Sequence, residues 1–138
     1  MNNKILAGGV ILDKDQNILL LHRNTKVRQQ WEMPGGTGEP REMPTQTTRR
    51  ELKEELGVDI EIVKSLGMQE IILGQKVYDY YWYLVDILEG MPEVIETDTF
   101  DDLKFFSVEE LQSMMNELSP NAQNFVKAIV DKKISFES

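Results

Sequence analysis

Cysteine is absent from this 138-residue chain, and histidine occurs once, at His22. Without cysteine there is no disulfide framework, no thiolate nucleophile and no zinc–thiolate centre. That composition fits a reducing compartment, and a cytoplasmic location is expected. No apolar run approaches the roughly 20 residues that a membrane-spanning helix needs. The opening MNNKILAGG lacks the pattern of a secretory signal. Basic residues are also short: 15 Lys and Arg against 24 Asp and Glu give a net charge of −9. Overall repulsion therefore argues against a nucleic-acid polymer or an anionic membrane as the main partner, since both are bound through basic surface. A small anionic substrate stays open if a metal and a few local cations meet its charge. Length and the lack of repeats or linkers predict one domain over residues 1–138.

What is present centres on the segment GTGEPREMPTQTTRRELKEELGV, residues 36–58. Pro44 suits the first turn of a helix, and Gly57 suits the position just past its end. Met43 would be a poor N-cap, so some fraying is expected there. At about 100° per residue, Glu51, Glu54 and Glu55 share one arc of this helix. Thr45, Thr48, Leu52 and Leu56 form a second arc, expected against a sheet. Gln46, Arg49 and Lys53 form a third, expected in water. Three crowded carboxylates repel one another, and a multivalent cation between them reverses the sign of that interaction. All-oxygen donors point to a hard cation. Taken alone, such a run of acids also reads as a solvated face of an acidic protein.

Elsewhere, Ile5 to Leu12 and Ile18 to Leu21 read as strands joined by the turn DKDQN, predicting a hairpin. Arg23 to Arg28 reads as a basic connection, ending at Trp31-Glu32-Met33-Pro34-Gly35-Gly36. The Pro-Gly-Gly run lets backbone approach a ligand closely. Asp59 to Ile72 holds one or two strands. KVYDYYWYLVDIL, residues 76–88, is apolar on both faces, as a central strand would be. Gly90 to Thr99 is an acidic loop, followed by a short strand over Leu103 to Phe106. Ser107 with Glu110 makes a capping box, and Ser119-Pro120 starts a last helix with Phe125, Ala128 and Ile129 on its inner face.

In order, Gly36, Glu42, Arg50-Glu51-Leu52-Lys53-Glu54-Glu55-Leu56-Gly57 and Val58 stand in the spacing of the Nudix box. The segment resembles the signature of the Nudix hydrolases at every defining position, and Trp31 to Gly36 looks like that family's lead-in. The resemblance implies an α/β (mixed α+β) fold, with a mixed central β-sheet between α-helices. It also implies hydrolysis of a nucleoside diphosphate linked to another group, with Mg²⁺ or Mn²⁺. Carried over by position, Glu51, Glu54, Glu55 and the Gly35 carbonyl would hold metal. Glu51 would be either ligand or base, Arg50 would orient the acids, and Glu42 would support the loop-to-helix junction. Arg23, Gly35, Gly36 and Asn121 would contact substrate. Arg23 would take phosphates, with a solvated loop standing equally open, and Asn121 a purine edge, although a plain helix-start asparagine is its simpler reading.

His22 reads as packed or exposed rather than as a ligand. Trp82 and its tyrosine neighbours read as core more readily than as base-stacking groups. Among Glu96, Asp98, Asp101 and Asp102, one could supply a further acid. The sequence departs from the family pattern at Arg41, where glycine is common, and at Thr47 and Thr48, where alanines are. A threonine packed on the sheet needs its hydroxyl satisfied, as by the carbonyl four residues back.

Markers of other subfamilies are missing. Ile72 to Gln75 stand where ADP-ribose hydrolases place a proline. The tyrosine of dinucleoside polyphosphate hydrolases is at best displaced to Tyr78. A MutT-like nucleoside triphosphate pyrophosphohydrolase is therefore the first expectation, working as a monomer or small homodimer on a small nucleotide. An ADP-ribose or nucleotide-sugar pyrophosphatase is the alternative. A non-catalytic nucleotide-binding module ranks behind both, because all three acids remain.

Overall fold

The computed structural model describes residues 3–137. Seven strands and three helices run in the order β1 (Lys4–Val10), β2 (Ile18–Asn24), β3 (Gln29–Glu32), β4 (Gly35–Thr37), α1 (Pro44–Leu56), β5 (Asp59–Leu73), β6 (Lys76–Glu89), β7 (Phe100–Phe106), α2 (Val108–Ser113) and α3 (Pro120–Val130). A 3₁₀ turn over Met115–Glu117 precedes α3. Strands β4-β1-β6-β5 form a mixed sheet in which β1 and β6 are parallel, and β3-β2-β7 form an antiparallel sheet.

The residues between Trp82 and Val85 explain the layering. All four are buried, and alternate side chains leave opposite faces of β6. Trp82 and Leu84 join Val10, Phe125 and Val126 in a core beneath α3. Tyr83 and Val85 join Leu52, Leu56 and Val58 in a second core beneath α1. The mixed sheet thus lies between helices, as the resemblance implied. Gly9 permits the close seating of α1, since a Cβ there would stand 2.7 Å from Leu52 Cδ2.

Two sequence expectations need correction. The chain reverses over Asp13 to Asn17, but β1 and β2 are not a hairpin. Beyond the single bridge Leu12–Ile18 they enter different sheets. Both edges of β1 are already taken, by β4 and β6, so β2 has no free edge there to pair with. The supposed basic connection also contains structure. Arg23 lies on β2, and β2 pairs with β3 across a turn closed by the Thr25 N–H donating to the Arg28 carbonyl at 2.9 Å. The polar residues Gln29 and Gln30 concealed that strand.

Helix α1 keeps its expected bounds. Gly57 adopts φ 73° and donates its N–H to the Lys53 carbonyl. Thr48 donates its hydroxyl to the Pro44 carbonyl at 2.9 Å, the i−4 bond its burial requires. The poor cap at Met43 is offset by Gln46 Oε1, which accepts the Met43 N–H at 2.7 Å.

Candidate functional site

Strand β4 pairs with β1 through Ala7–Gly36 and Gly8–Gly35, which sets the glycine pair beside the acid-bearing face of α1. Neither glycine has room for a side chain. A Cβ on Gly35 would stand 2.4 Å from the Ala7 carbonyl oxygen, and one on Gly36 would stand 2.4 Å from Glu51 Oε1. The bare backbone of β4 is therefore what lets the Glu51 carboxylate come so close.

Around α1 the acids fall into two environments. Glu42 accepts from Arg50 Nε at 2.8 Å and Nη2 at 3.0 Å, from the Thr47 hydroxyl at 2.7 Å and from the Glu39 N–H at 3.0 Å. These donors, Arg50 foremost, hold its carboxyl down at about 2. Arg50 also donates to the Thr37 carbonyl at 2.9 Å and reaches Glu51 at 3.2 Å and Glu54 at 3.3 Å. Its guanidinium thus spans the junction and the acids, and its proton affinity is raised in consequence.

Glu55 is the opposite case. Its side chain is buried, with residue exposure of 6%. Among the described residues its hydrogen-bond donor is the Gly35 N–H, at 2.8 Å. Burial foremost, then the nearby negative charges of Glu51, Glu96 and Glu32, push its carboxyl well above the usual range. Glu51, half-buried, is also pushed up, by burial first and by Glu54 and Glu96 beyond the relief from Arg50. Glu96 reaches this group because the acidic loop runs under the end of α1, where the Ile95 N–H donates to the Glu55 carbonyl at 3.2 Å and the Glu93 N–H to the Leu56 carbonyl at 3.2 Å. Of Glu96, Asp98, Asp101 and Asp102, then, Glu96 is the one whose charge acts on Glu51 and Glu55. Asp101 pairs instead with His22 Nδ1 at 2.7 Å and with Asn24. Glu32 was not anticipated. Its only signal in the sequence was its place in the lead-in to the glycine pair.

In the conformation described, no three acidic or histidine side chains among the described residues converge closely enough to enclose an ion. Arg50 draws Glu51 and Glu54 toward itself, and Glu55 turns to the Gly35 amide. The donor set nonetheless fits a hard divalent cation. It is made of carboxylate oxygens, one of them buried and without a cationic partner among the described residues, beside a glycine cradle that a single Cβ would fill.

A cleft of about 300 Å³ opens from the glycine pair toward the start of α3. Arg23, Arg28, Gly35, Gly36, Tyr78 and Asn121 are among its walls. Arg23 is gripped by Glu32, at 2.6 Å from Nε and 3.2 Å from Nη2, and its guanidinium lies 5.2 Å from the Phe100 ring centre. Asn121 stands at the far end, on α3. Trp82 is core, as expected, with 3% exposure, and its indole N–H donates to Asn121 Oδ1 at 3.0 Å.

The fold is shared with known proteins. A MutT NUDIX hydrolase from Burkholderia pseudomallei has the same fold, with a TM-score of 0.78 at 24% identity, covering 92% of this chain and 98% of that one. An 8-oxo-dGTP diphosphatase of Proteus vulgaris is 44% identical over 57 residues, which are 40% of this chain and 51% of the relative. A CTP pyrophosphohydrolase of Escherichia coli K12 is 33% identical over 79 residues, 55% of this chain and 58% of the relative. The chain spans about half the length of the curated relatives it matches. The family model described as NUDIX domain matches residues 3–129, nearly the whole chain, and the protein belongs to the Nudix family.

Proposed function

We propose that the chain is a divalent-metal-dependent pyrophosphohydrolase of nucleoside triphosphates, releasing a nucleoside monophosphate and pyrophosphate. The observation that carries this reading is Glu55, a buried carboxylate beside Glu51 and Glu96 with one backbone N–H as its partner. Burial of charge in that state is costly, and a cation removes the cost. Glu51, Glu54, Glu55 and the Gly35 carbonyl are the ligands we assign to Mg²⁺ or Mn²⁺. Bound there, the ion would supply charge neutralisation to the non-bridging phosphate oxygens.

The remaining work belongs to the chain itself. Gly35 and Gly36, having no side chains, leave that wall of the cleft clear for the phosphates. Arg23, fixed by Glu32 and Phe100 in the wall of the cleft, offers its remaining N–H groups to the same oxygens. Arg50 keeps Glu51 and Glu54 on one side of α1. Water attacks phosphorus, its proton passes to Glu51 or Glu55, and the P–O–P bridge breaks. Asn121, across the cleft, takes the base. The substrate is a small nucleotide, in keeping with the acidic surface and the size of the cleft. The likeness to the Proteus 8-oxo-dGTP diphosphatase and the Escherichia CTP pyrophosphohydrolase favours triphosphates over nucleotide sugars. A cysteine-free chain of this kind suits the cytoplasm.

A panel of ordinary and oxidised (deoxy)nucleoside triphosphates, ADP-ribose and nucleotide sugars, incubated with Mg²⁺ or Mn²⁺ and read by product identification, tests the proposal. Turnover of triphosphates to monophosphate and pyrophosphate is expected. Turnover confined to ADP-ribose or a nucleotide sugar would move the chain to the other substrate class, and no turnover at all would remove the activity.

A further inference from the structure

Tyr80, on β6, is 7% exposed, and its hydroxyl has no hydrogen-bond partner among the described residues. A tyrosine buried to this degree ordinarily finds one. Nor is the oxygen shut in, as the unpaired Gln69 Oε1 is. Tyr80 forms part of the cleft wall, and its hydroxyl opens there. Strand β1 fixes where along the cleft this happens. Leu6 pairs with Tyr80 in the parallel β1–β6 ladder, and two residues on, Gly8 pairs with Gly35 of β4. A Cβ on Gly8 would stand 2.7 Å from the Tyr80 oxygen and 2.5 Å from the Pro34 carbonyl oxygen. The side chain missing at Gly8 is therefore what makes the slot for the phenol, and the hydroxyl lies at the glycine-pair end of the cleft. Burial foremost, then the negative charges of Glu55, Glu32 and Glu51, push the phenol well above its usual range, so it keeps its proton and remains a donor.

We infer that the Tyr80 hydroxyl is a substrate-binding donor, which gives its hydrogen bond to a phosphate oxygen of the nucleotide beside the glycine pair. The inference rests on the reading of the cleft as a nucleotide site and adds a residue that holds the phosphate end of it. An uncharged donor suits this place. The Arg23 guanidinium is already shared with Glu32, and a further cation would be drawn to the carboxylates of Glu51 and Glu55 rather than to the substrate. A phenol forms no ion pair with those acids, and a hydrogen bond from it to a charged oxygen is stronger than one between neutral groups. The hydroxyl makes no bond to the rest of the described chain, so its removal should cost binding and not folding.

Tyr80→Phe deletes this one oxygen and keeps the ring. Guanosine and cytidine 5′-monophosphates, with their 2′,3′-dideoxy counterparts, carry a phosphate but no phosphoanhydride to hydrolyse. Their dissociation constants from the full chain in Mg²⁺, measured by calorimetry, therefore read recognition separately from turnover. For whichever base binds more tightly, Tyr80→Phe is expected to weaken the monophosphate by about tenfold or more, the scale of a hydrogen bond to a charged group. The dideoxy counterpart should be weakened by the same factor, because the phosphate and not the sugar is the partner. In urea the variant should unfold at the same midpoint as the parent or a higher one. A merely structural tyrosine would do the opposite, lowering the midpoint and leaving the dissociation constants alone. Unchanged affinity in the variant, a penalty that vanishes on the dideoxy nucleotide, binding of neither monophosphate to the wild type, or a lowered midpoint would each overturn the inference. The expected weakening in a chain that hydrolyses no triphosphate would leave it standing and remove the activity proposed above.

Discussion

Glu42 and Glu55 stand at the two ends of one helix and live under opposite electrostatic regimes. Glu42 has a guanidinium, a hydroxyl and a backbone N–H, and its charge is fully met. Glu55 has one N–H and three acidic neighbours. The first environment is complete without any added ion. The second leaves a buried carboxyl with one donor among the described residues, which is why it is the site proposed to take a cation. An acid that is satisfied by the protein holds structure together, whereas one left unsatisfied in the interior marks where chemistry is done.

The largest break in this comparison should come from Glu55→Gln. Turnover is expected to fall by roughly a thousand-fold, the scale on which a lost charge-stabilising group lowers kcat. The metal-free variant should nonetheless be at least as stable as the parent, because a buried charge has been removed. Steady-state kinetics and thermal unfolding together check this. A stable variant retaining most of its activity would take Glu55 out of the proposed metal shell.

Glu42→Gln should act the other way round. It leaves Arg50 short of its main partner, and a loss of about 2 kcal/mol in urea unfolding is expected, the scale of a hydrogen bond to a charged group. Any fall in activity should follow from the loosened junction.

A pH series sharpens the contrast further. Glu42 has a depressed folded value, so its contribution is present above the ordinary 4.5 and is lost as the pH falls toward about 2. Glu55 has a raised one, so metal-free stability declines as the pH climbs from the ordinary value through the raised one. Unfolding temperatures of the parent, Glu42→Gln and Glu55→Gln between pH 3 and 8 should therefore diverge, with each variant losing one limb of the profile. The acid-side limb should vanish in Glu42→Gln and the opposing slope in Glu55→Gln.

The smallest effect concerns Arg41, which adopts φ 69° just before the satisfied acid. A left-handed conformation costs a non-glycine residue roughly 1–2 kcal/mol. Arg41→Gly should raise stability by about 1 kcal/mol in urea unfolding while leaving kcat unchanged.

The sequence carried the box helix well. Pro44, the acid arc and Gly57 are local signals, and local signals survive into the fold. Arg41 illustrates a subtler kind of legibility, since the departure from the resembled family pattern falls on a backbone that turns left-handed here. What escaped was non-local. Nothing near Leu12 could reveal that β4 and β6 occupy both edges of β1. Glu96 could be placed in an acidic loop but not singled out from Asp98, Asp101 and Asp102 until that loop was seen under the end of α1. Glu32 and the Trp82–Asn121 bond depend on residues brought together from distant strands and a helix, and no spacing in the chain encodes them.

Calorimetric titration of Mg²⁺ and Mn²⁺ into the wild-type chain and into Glu55→Gln, at neutral pH with and without a non-hydrolysable nucleoside triphosphate, bears on the central claim most directly. Saturable binding that is strengthened by nucleotide and severely weakened in Glu55→Gln is expected. Absence of binding to the wild type under both conditions, or equal binding to the variant, would contradict the assignment of this glutamate cluster to a divalent cation.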